Sequence, residues 1–208
     1  MSTPQGPDSQ HTVYGAVLAG GQSIRMGADK RFLNLNGEFL VDRAVRILRS
    51  ALKTSGHCVY LCGDVPNRDC IPDSKPTLGP LGGVESAIKR VRVSSASAWL
   101  LIIPVDMPRL SCDLISRLIV CIPETAGDWV RAVAYEGFEM PLLLRCDSFT
   151  ENCVTKILQS ASPSAHSIRA LMKAVGLRQV PFDCASDESM LNANSPHDWS
   201  KVSNEGGR

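Results

Sequence analysis

Residues 12–30 read TVYGAVLAGGQSIRMGADK, an apolar run that ends in glycines and continues as a loop. The run up to Gly20 carries the β-branched and aromatic residues that favour a strand. After the loop, apolar residues recur at helical spacing from Leu40 to Leu52. This stretch therefore predicts a strand, a long loop and a helix, in that order.

The same alternation continues through the first half of the chain. HCVYLCG at 57–63 predicts a second strand, the segment at about 81–91 a helix, and SAWLLIIPVD at 97–106 a third strand. Continuous apolar strands are typical of parallel sheets covered by helices on both faces. We therefore expect an α/β fold, a three-layer sandwich with a mainly parallel sheet and right-handed crossovers.

The second half of the chain mixes the same elements less regularly. Ser111 can cap a helix that follows it. Further strands are predicted near 129–135, 139–145 and 177–182, and further helices near 149–159, 167–176 and after Pro196.

Charge and composition exclude several classes of function. The 22 lysines and arginines nearly balance the 21 aspartates and glutamates, so no basic field favours nucleic acid or a membrane surface. The longest apolar run is shorter than the roughly 20 residues that span a bilayer, and no signal peptide is recognisable at the start. The eight scattered cysteines lack a CxxC pair and are predicted to be reduced core thiols. We therefore expect a cytoplasmic protein that recognises any anionic ligand locally.

The glycine-rich loop follows the first strand, at the sheet edge where ligands of such folds bind. Its glycines would let backbone N–H groups approach an anion. The dinucleotide pattern GxGxxG is absent because Gly20 and Gly21 are adjacent, and the pattern GxxxxGK[ST] fails because Ala28 follows Gly27. The loop is therefore neither of these two common phosphate loops.

Two cations make a tight turn an insufficient explanation for this loop. Arg25 and Lys30 share the loop with a single acidic residue, Asp29. They would repel each other unless a negative group lay between them. A triphosphate fits this requirement.

LAGGQSIRMGADK (18–30) resembles the nucleotidyltransferase loop of the molybdenum cofactor guanylyltransferases, L-A-G-G-x-S-x-R-M-G followed by Asp-Lys. The resemblance implies a Rossmann-like nucleotidyltransferase fold of the nucleotide-diphospho-sugar transferase type. It also implies an enzyme that joins GMP from GTP to the terminal phosphate of molybdopterin and releases pyrophosphate. The residues that the resemblance assigns to nucleotide binding in this loop are Leu18, Ala19, Gly20, Gly21 and Lys30, and those assigned to catalysis are Arg25 and Lys30.

The base is also implied by the resemblance. Related enzymes that use CTP usually carry LAAG in place of LAGG, so Gly20 implies GTP. Two alternatives on the same fold remain open, a CTP-dependent transferase and a transferase with a sugar-1-phosphate acceptor. A third alternative, of a different class, is a nucleotide-binding scaffold without turnover.

Asp106 follows the third predicted strand in IIPVDMP, which would bring its carboxylate to the edge that carries the glycine loop. Transfer from a triphosphate needs a divalent cation, and Mg²⁺ takes oxygen ligands while it keeps several waters. PVDMP resembles the family's P-x-D-x-P segment. The resemblance implies that Asp106 is a catalytic residue, a nucleotide contact and the Mg²⁺ ligand.

Asp73 lies shortly before GPLGG (79–83), which resembles the family's G-P-L-x-G segment. The resemblance implies that Asp73 binds the nucleotide, since a carboxylate can accept from the guanine N1–H and exocyclic amine. The residues alone leave a solvated loop carboxylate equally open. Gly63 and Asp64 stand where the family tends to have an asparagine, so their role stays open.

The C-terminal half carries fewer motifs. LNANSPHDW (191–199) resembles the family's N-x-N-[ST]-P, which implies that Asn192 and Asn194 contact the acceptor; the residues alone favour an ordinary turn before proline. GFEMP (137–141) resembles its G-x-x-x-P segment, with Met140 in place of the usual polar residue.

The length of 208 residues fits one domain. We expect that domain at 12–203, with a nucleotide half at about 12–122 and an acceptor half at about 123–203, and disordered tails at 1–11 and 204–208. The expected partners are GTP and molybdopterin, together with proteins that receive a labile cofactor.

Overall fold

A six-stranded sheet runs through the computed structural model of the protein. The structure describes residues 12–20, 29–53, 59–75, 78–122, 129–162, 166–182 and 188–203. The strands in chain order are β1 Val13–Leu18, β2 Asn34–Leu35, β3 Glu38–Phe39, β4 Val59–Cys62, β5 Ala98–Pro104, β6 Ala132–Tyr135, β7 Leu142–Cys146 and β8 Leu177–Val180. The helices are α1 Leu40–Ala51, α2 Pro80–Ser94, α3 Cys112–Val120, α4 Ser148–Gln159, α5 Ile168–Val175 and α6 Pro196–Ser203.

The large sheet has the strand order β4-β1-β5-β7-β6-β8. β1 pairs in parallel with both β4 and β5, and β6 pairs in parallel with β8. β7 runs antiparallel to its neighbours β5 and β6. The predicted mainly parallel sheet is therefore confirmed, with β7 as the reversed strand between its two halves.

Side chains of β5 alternate between two hydrophobic cores, as strand geometry requires. Leu101 and Ile103 belong to the core under α1 and α3, whereas Leu100 and Ile102 belong to the core under α2, α4 and α5. All four are at most 1% exposed. Helices thus cover both faces of the sheet, and the predicted three-layer sandwich is confirmed.

Side-chain caps set the starts of three helices. The Ser111 hydroxyl accepts from the backbone N–H of Leu114, as the sequence predicts, and Asp147 and Ser167 cap α4 and α5 in the same manner. None of the described helices combines the length and apolar character that a membrane crossing requires.

A small hairpin of β2 and β3 precedes α1, within the segment that the sequence predicts to be a long loop. Its turn residues Asn36 and Gly37 have φ values of 55° and 88°, which is the geometry of a two-residue turn. The Asn-Gly pair is a known signal for such a turn.

Candidate active site

A cavity of about 530 Å³ opens at the carboxyl ends of the parallel strands. Leu18 ends β1, Cys62 ends β4 and Pro104 ends β5, and all three line it. This is the edge at which open α/β sheets bind ligands. The cavity wall also includes Gly20, Lys30, Asp73, Gly83, Asp106, Phe138, Glu139, Met140, Ile168, Arg169 and Asn192. Residues from both predicted halves of the chain therefore meet around one space.

Lys30 and Asp106 form an ion pair at this edge. The Lys30 Nζ lies 2.6 Å from Oδ2 of Asp106. Side-chain exposure is 21% for Lys30 and 12% for Asp106, so the pair is partly shielded from water. The Lys30 ammonium also lies 3.4 Å from Oδ1 of Asn194. Two residues predicted for the nucleotide and one predicted for the acceptor thus meet from positions far apart in the chain.

Arg31 fixes the short turn that carries Lys30. Its guanidinium donates to Asp29 from Nε, at 2.8 Å to Oδ1 and 2.9 Å to Oδ2, and from Nη2 to Oδ2 at 2.6 Å. It also donates to the backbone carbonyls of Ala19 and Asp64. The hydrogen bonds from Arg31 to Asp29 hold the pKa of the Asp29 carboxyl below its ordinary value, although burial opposes them in part.

Lys30 and Arg31 therefore have different acidic partners. Asp29 pairs with Arg31, and Lys30 pairs with Asp106. Sequence reasoning missed Arg31, although its position two residues after a turn aspartate is a local signal for such a pair. The sequence also predicts roles for Gly21 and Arg25, which lie outside the described residues.

The C-terminal segment reaches the site through contacts around Asp106. The backbone N–H of Ala193 donates to the Asp106 carbonyl at 2.8 Å. Arg109, three residues after Asp106, forms an ion pair with Glu188 and donates to the Lys201 carbonyl at 2.8 Å. These contacts bring Asn192 to the cavity wall and Asn194 to Lys30.

Asp73 enters the cavity from a segment that is fastened to β4. Gly63 N–H donates to the Ile71 carbonyl at 2.9 Å, and Ile71 N–H donates to the Leu61 carbonyl at 2.8 Å. Oδ1 of Asp73 is buried, and no hydrogen bond from the described part of the chain reaches it. Burial raises the pKa of the Asp73 carboxyl above its ordinary value.

Glycines of both motifs make room for the Asp73 carboxylate. A Cβ on Gly20 would collide with Oδ2 of Asp73, and a Cβ on Gly83 would lie 2.9 Å from Oδ1. The two glycine motifs therefore share one structural purpose, which is close packing around this carboxylate.

Gly63 stands where the family pattern tends to have an asparagine, and its packing requires a glycine. Its φ is 124°, and a Cβ there would lie 2.7 Å from the backbone nitrogen of Gly20. Asp64 is exposed and contributes its carbonyl to Arg31.

The opposite wall of the cavity comes from the β6–β7 loop and the start of α5. Phe138 packs edge-on against Phe182, with ring centroids 5.2 Å apart. Glu139 accepts from Nε of Arg169 at 3.0 Å across the rim. The GFEMP segment indicated this loop, but Arg169 carried no motif in the sequence.

Residues 15–180 match the profile of a family described as the MobA-like NTP transferase domain. The chain belongs to this family. It is a nucleotidyltransferase, and the resemblance stated from the glycine loop is confirmed.

Relatives support the same assignment in this MobA-like family. A molybdenum cofactor guanylyltransferase of Xanthomonas euvesicatoria pv. vesicatoria is 34% identical over 92% of this chain and 94% of its own length. A probable molybdenum cofactor guanylyltransferase of Opitutus terrae is 29% identical over 88% of this chain and 91% of its own length. The crystal structure of molybdopterin-guanine dinucleotide biosynthesis protein A from Archaeoglobus fulgidus superposes with a TM-score of 0.66 at 18% identity, over 92% of this chain and 97% of that one. This likeness supports the fold.

Proposed function

We propose that this enzyme transfers GMP from GTP to the terminal phosphate of molybdopterin, in the presence of Mg²⁺, and releases pyrophosphate. The observation that carries the proposal is the meeting of Lys30, Asp106 and Asn194 at the cavity that Asp73 also lines. The guanylyltransferase names of relatives that align along most of the chain support the same reaction.

The reaction requires alignment and charge stabilisation more than proton transfer. An oxygen of the acceptor phosphate forms a bond to the α-phosphorus of GTP, and the bond between that phosphorus and the bridging oxygen of pyrophosphate breaks. The attacking oxygen is already an anion, so a strong base is unnecessary. Lys30, and Arg25 by family resemblance, would neutralise charge that builds on the phosphates.

Oxygen donors at the end of β5 fit Mg²⁺. The Asp106 carboxylate and the Asn194 amide oxygen both approach the Lys30 ammonium, so they lie around a common point that already holds a positive charge. The described residues contain no group of three or more histidine, cysteine and acidic side chains able to hold a metal ion. One carboxylate is sufficient for Mg²⁺, since its other ligands are usually waters and substrate phosphates. When bound, the ion would neutralise charge on the triphosphate.

Asp73 would read the guanine base. An ionised carboxylate accepts hydrogen bonds in pairs, and guanine offers two neighbouring donors, N1–H and the exocyclic amine. Cytosine has an acceptor at N3 beside its amine, so it offers no such pair. Gly20 leaves the space that the Asp73 carboxylate occupies.

The same proposal includes the cytoplasm as the place of action. The described cysteines, among them Cys62 and Cys146, are free thiols, which fits a reducing compartment. Transfer of the labile product to a receiving protein stays a prediction.

Mass spectrometry of the product tests the proposal directly. The enzyme is incubated with molybdopterin, Mg²⁺ and either GTP or CTP, and pyrophosphate is measured in parallel. We expect the guanine dinucleotide from GTP and loss of both signals when EDTA is in excess. A cytosine product in greater yield would overturn the guanine assignment. GTP binding without pyrophosphate release would instead support the scaffold alternative.

A further inference from the structure

We propose that Glu85 is a positioning residue that holds the Asp73 segment in place and thereby sets the discrimination between guanine and other bases. The inference rests on the proposed contact between Asp73 and guanine. It assigns to Glu85, which lies outside the cavity wall, a measurable effect on the choice of nucleotide.

The Asp73 carboxylate depends on its backbone for orientation. Its Oδ1 receives no hydrogen bond from the described residues, and its near neighbours include the backbones of Gly20 and Gly83. A carboxylate without fixed donors is directed by the position of its own Cα and by the packing around it. Whatever fixes the residues on either side of Asp73 therefore fixes the carboxylate.

Two side chains of α2 hold those flanking residues. The Ser86 hydroxyl donates to the Pro72 carbonyl at 2.9 Å. The Ser74 hydroxyl donates to Oε2 of Glu85 at 2.5 Å. The segment is thus tied to α2 immediately before and immediately after Asp73.

Glycine lets the segment pass close to α2. A Cβ on Gly82 would lie 2.7 Å from the Lys75 carbonyl oxygen. The Ser74 backbone N–H also donates to the Gly82 carbonyl at 3.4 Å. The approach brings Ser74 within reach of the Glu85 side chain.

Glu85 is itself fixed by groups from other elements. It is 4% exposed, and its Oε1 accepts from the Thr155 hydroxyl of α4 at 2.9 Å and lies 3.1 Å from the Lys89 ammonium. Burial raises the pKa of Glu85, but the hydrogen bonds from Ser74, Lys89 and Thr155 outweigh it and leave that pKa below its ordinary value. A buried carboxylate with three donors is a rigid support, because any rotation would leave a charge without partners.

The same two helices provide a matched control. Arg92 of α2 pairs with Glu151 of α4 at 2.7 Å. Like Thr155 and Glu85, this pair joins α2 to α4, but within the described part of the chain no hydrogen bond or ion pair links it to residues 71–75. Glu151→Leu therefore removes a link between the same helices and leaves the Asp73 segment untouched.

The test compares kcat/KM for GTP and for ITP, which lacks the exocyclic amine of guanine. Asp73→Ala sets the ratio expected when the base contact is lost. We expect Glu85→Leu to lower the GTP to ITP ratio on the order of tenfold, as for loss of a hydrogen bond to a charged group. Glu85→Gln, which can still accept from Ser74, should restore most of it. Ser74→Ala should give a smaller fall, and it serves as the probe if Glu85→Leu fails to fold.

The ratios distinguish the positioning role of Glu85 from the base contact of Asp73. If Glu151→Leu lowers the melting temperature with an unchanged ratio, while Glu85→Leu or Ser74→Ala lowers the ratio, the positioning role is supported. An Asp73→Ala ratio below wild type together with wild-type ratios in the Glu85 and Ser74 variants overturns the positioning role alone. A wild-type ratio in Asp73→Ala overturns the base contact, and the inference with it.

Discussion

The Lys30 ammonium lies 2.6 Å from Oδ2 of Asp106, although the two residues are 76 positions apart in the chain. Each charge is the other's partner, and the pair is partly shielded from water. In the reaction that we propose, the triphosphate and its cation would be new partners of the required sign for Lys30 and Asp106. The ion pair therefore keeps two charged groups ready at the edge of the sheet without the cost of an unpaired charge.

Loss of the Asp106 carboxylate should strongly lower turnover. Asp106→Asn keeps the shape of the side chain but removes the charge that we propose holds Mg²⁺. We expect pyrophosphate release from GTP to fall at least about a hundredfold, the order seen when a main charge stabiliser is lost. The control is Asp113→Asn, an exposed carboxylate on α3. Near-normal turnover of Asp106→Asn would remove Asp106 from the mechanism.

Loss of the Lys30 ammonium should lower stability in the absence of nucleotide. Lys30→Met leaves the Asp106 side chain, which is 12% exposed, without this cation. We expect the free energy of unfolding to fall by about 1.5–3 kcal/mol, as for a hydrogen bond to a charged group. Urea denaturation of Lys30→Met, Asp106→Asn and the double variant measures the coupling between the two residues. Strictly additive effects would mean that the pair contributes nothing to the fold.

The convergence of Lys30 and Asp106 was predictable because carboxyl ends of parallel strands share one edge of a sheet. The apolar runs at β1 and β5 were sufficient to predict both strands. The hairpin turn at Asn36 and Gly37 was also readable from local sequence. These features depend on signals within a few residues.

Other features depend on contacts between distant segments. β7 pairs with β6, which directly precedes it, but its pairing with β5 joins segments far apart in the chain, and its own residues do not specify that pairing. The motif around Asn194 was recognisable, but its approach to Lys30 depends on contacts of Ala193 and Arg109 that dock the C-terminal segment. The pair of Arg31 with Asp29 has a local signal, but its hydrogen bonds to the carbonyls of Ala19 and Asp64 depend on the fold.

A methyl group at Gly20 should disturb base recognition but not the fold. Gly20 is exposed and is not among the glycines with positive φ, so an added Cβ meets mainly the Asp73 carboxylate. Rotation of that side chain relieves the collision at a cost of about 1 kcal/mol. We expect Gly20→Ala to lower kcat/KM for GTP by roughly tenfold. In an Asp73→Ala background the same change should have little further effect. A full tenfold loss there would show that Gly20→Ala does not act through the Asp73 carboxylate.

Asp73 should cost the enzyme stability in return for its proposed contact with guanine. Burial raises the pKa of Asp73 above its ordinary value of 3.8, so the folded chain holds this proton more tightly than the unfolded chain. The cost is absent well below pH 3.8, grows as the pH rises from 3.8 through the raised pKa, and is constant above it. Asp73→Asn should therefore raise the free energy of unfolding at pH 7, because the amide has no charge to bury. Urea denaturation across this pH range checks it, with Asp69→Asn, an exposed carboxylate nearby, as the control.

The Cys62 thiol should resist alkylation in the folded protein even though it lines the cavity. Burial, and next the charge of Asp73, raise the pKa of Cys62 to about 12, so almost none of it is thiolate at pH 8. We expect iodoacetamide at pH 8 to label Cys62 only after denaturation, whereas the partly exposed Cys153 reacts in the native state. Peptide mass spectrometry of native and urea-treated samples distinguishes the two sites. Native labelling of Cys62 at the rate of Cys153 would show that the floor of the cavity opens to solvent and to reagents of this size.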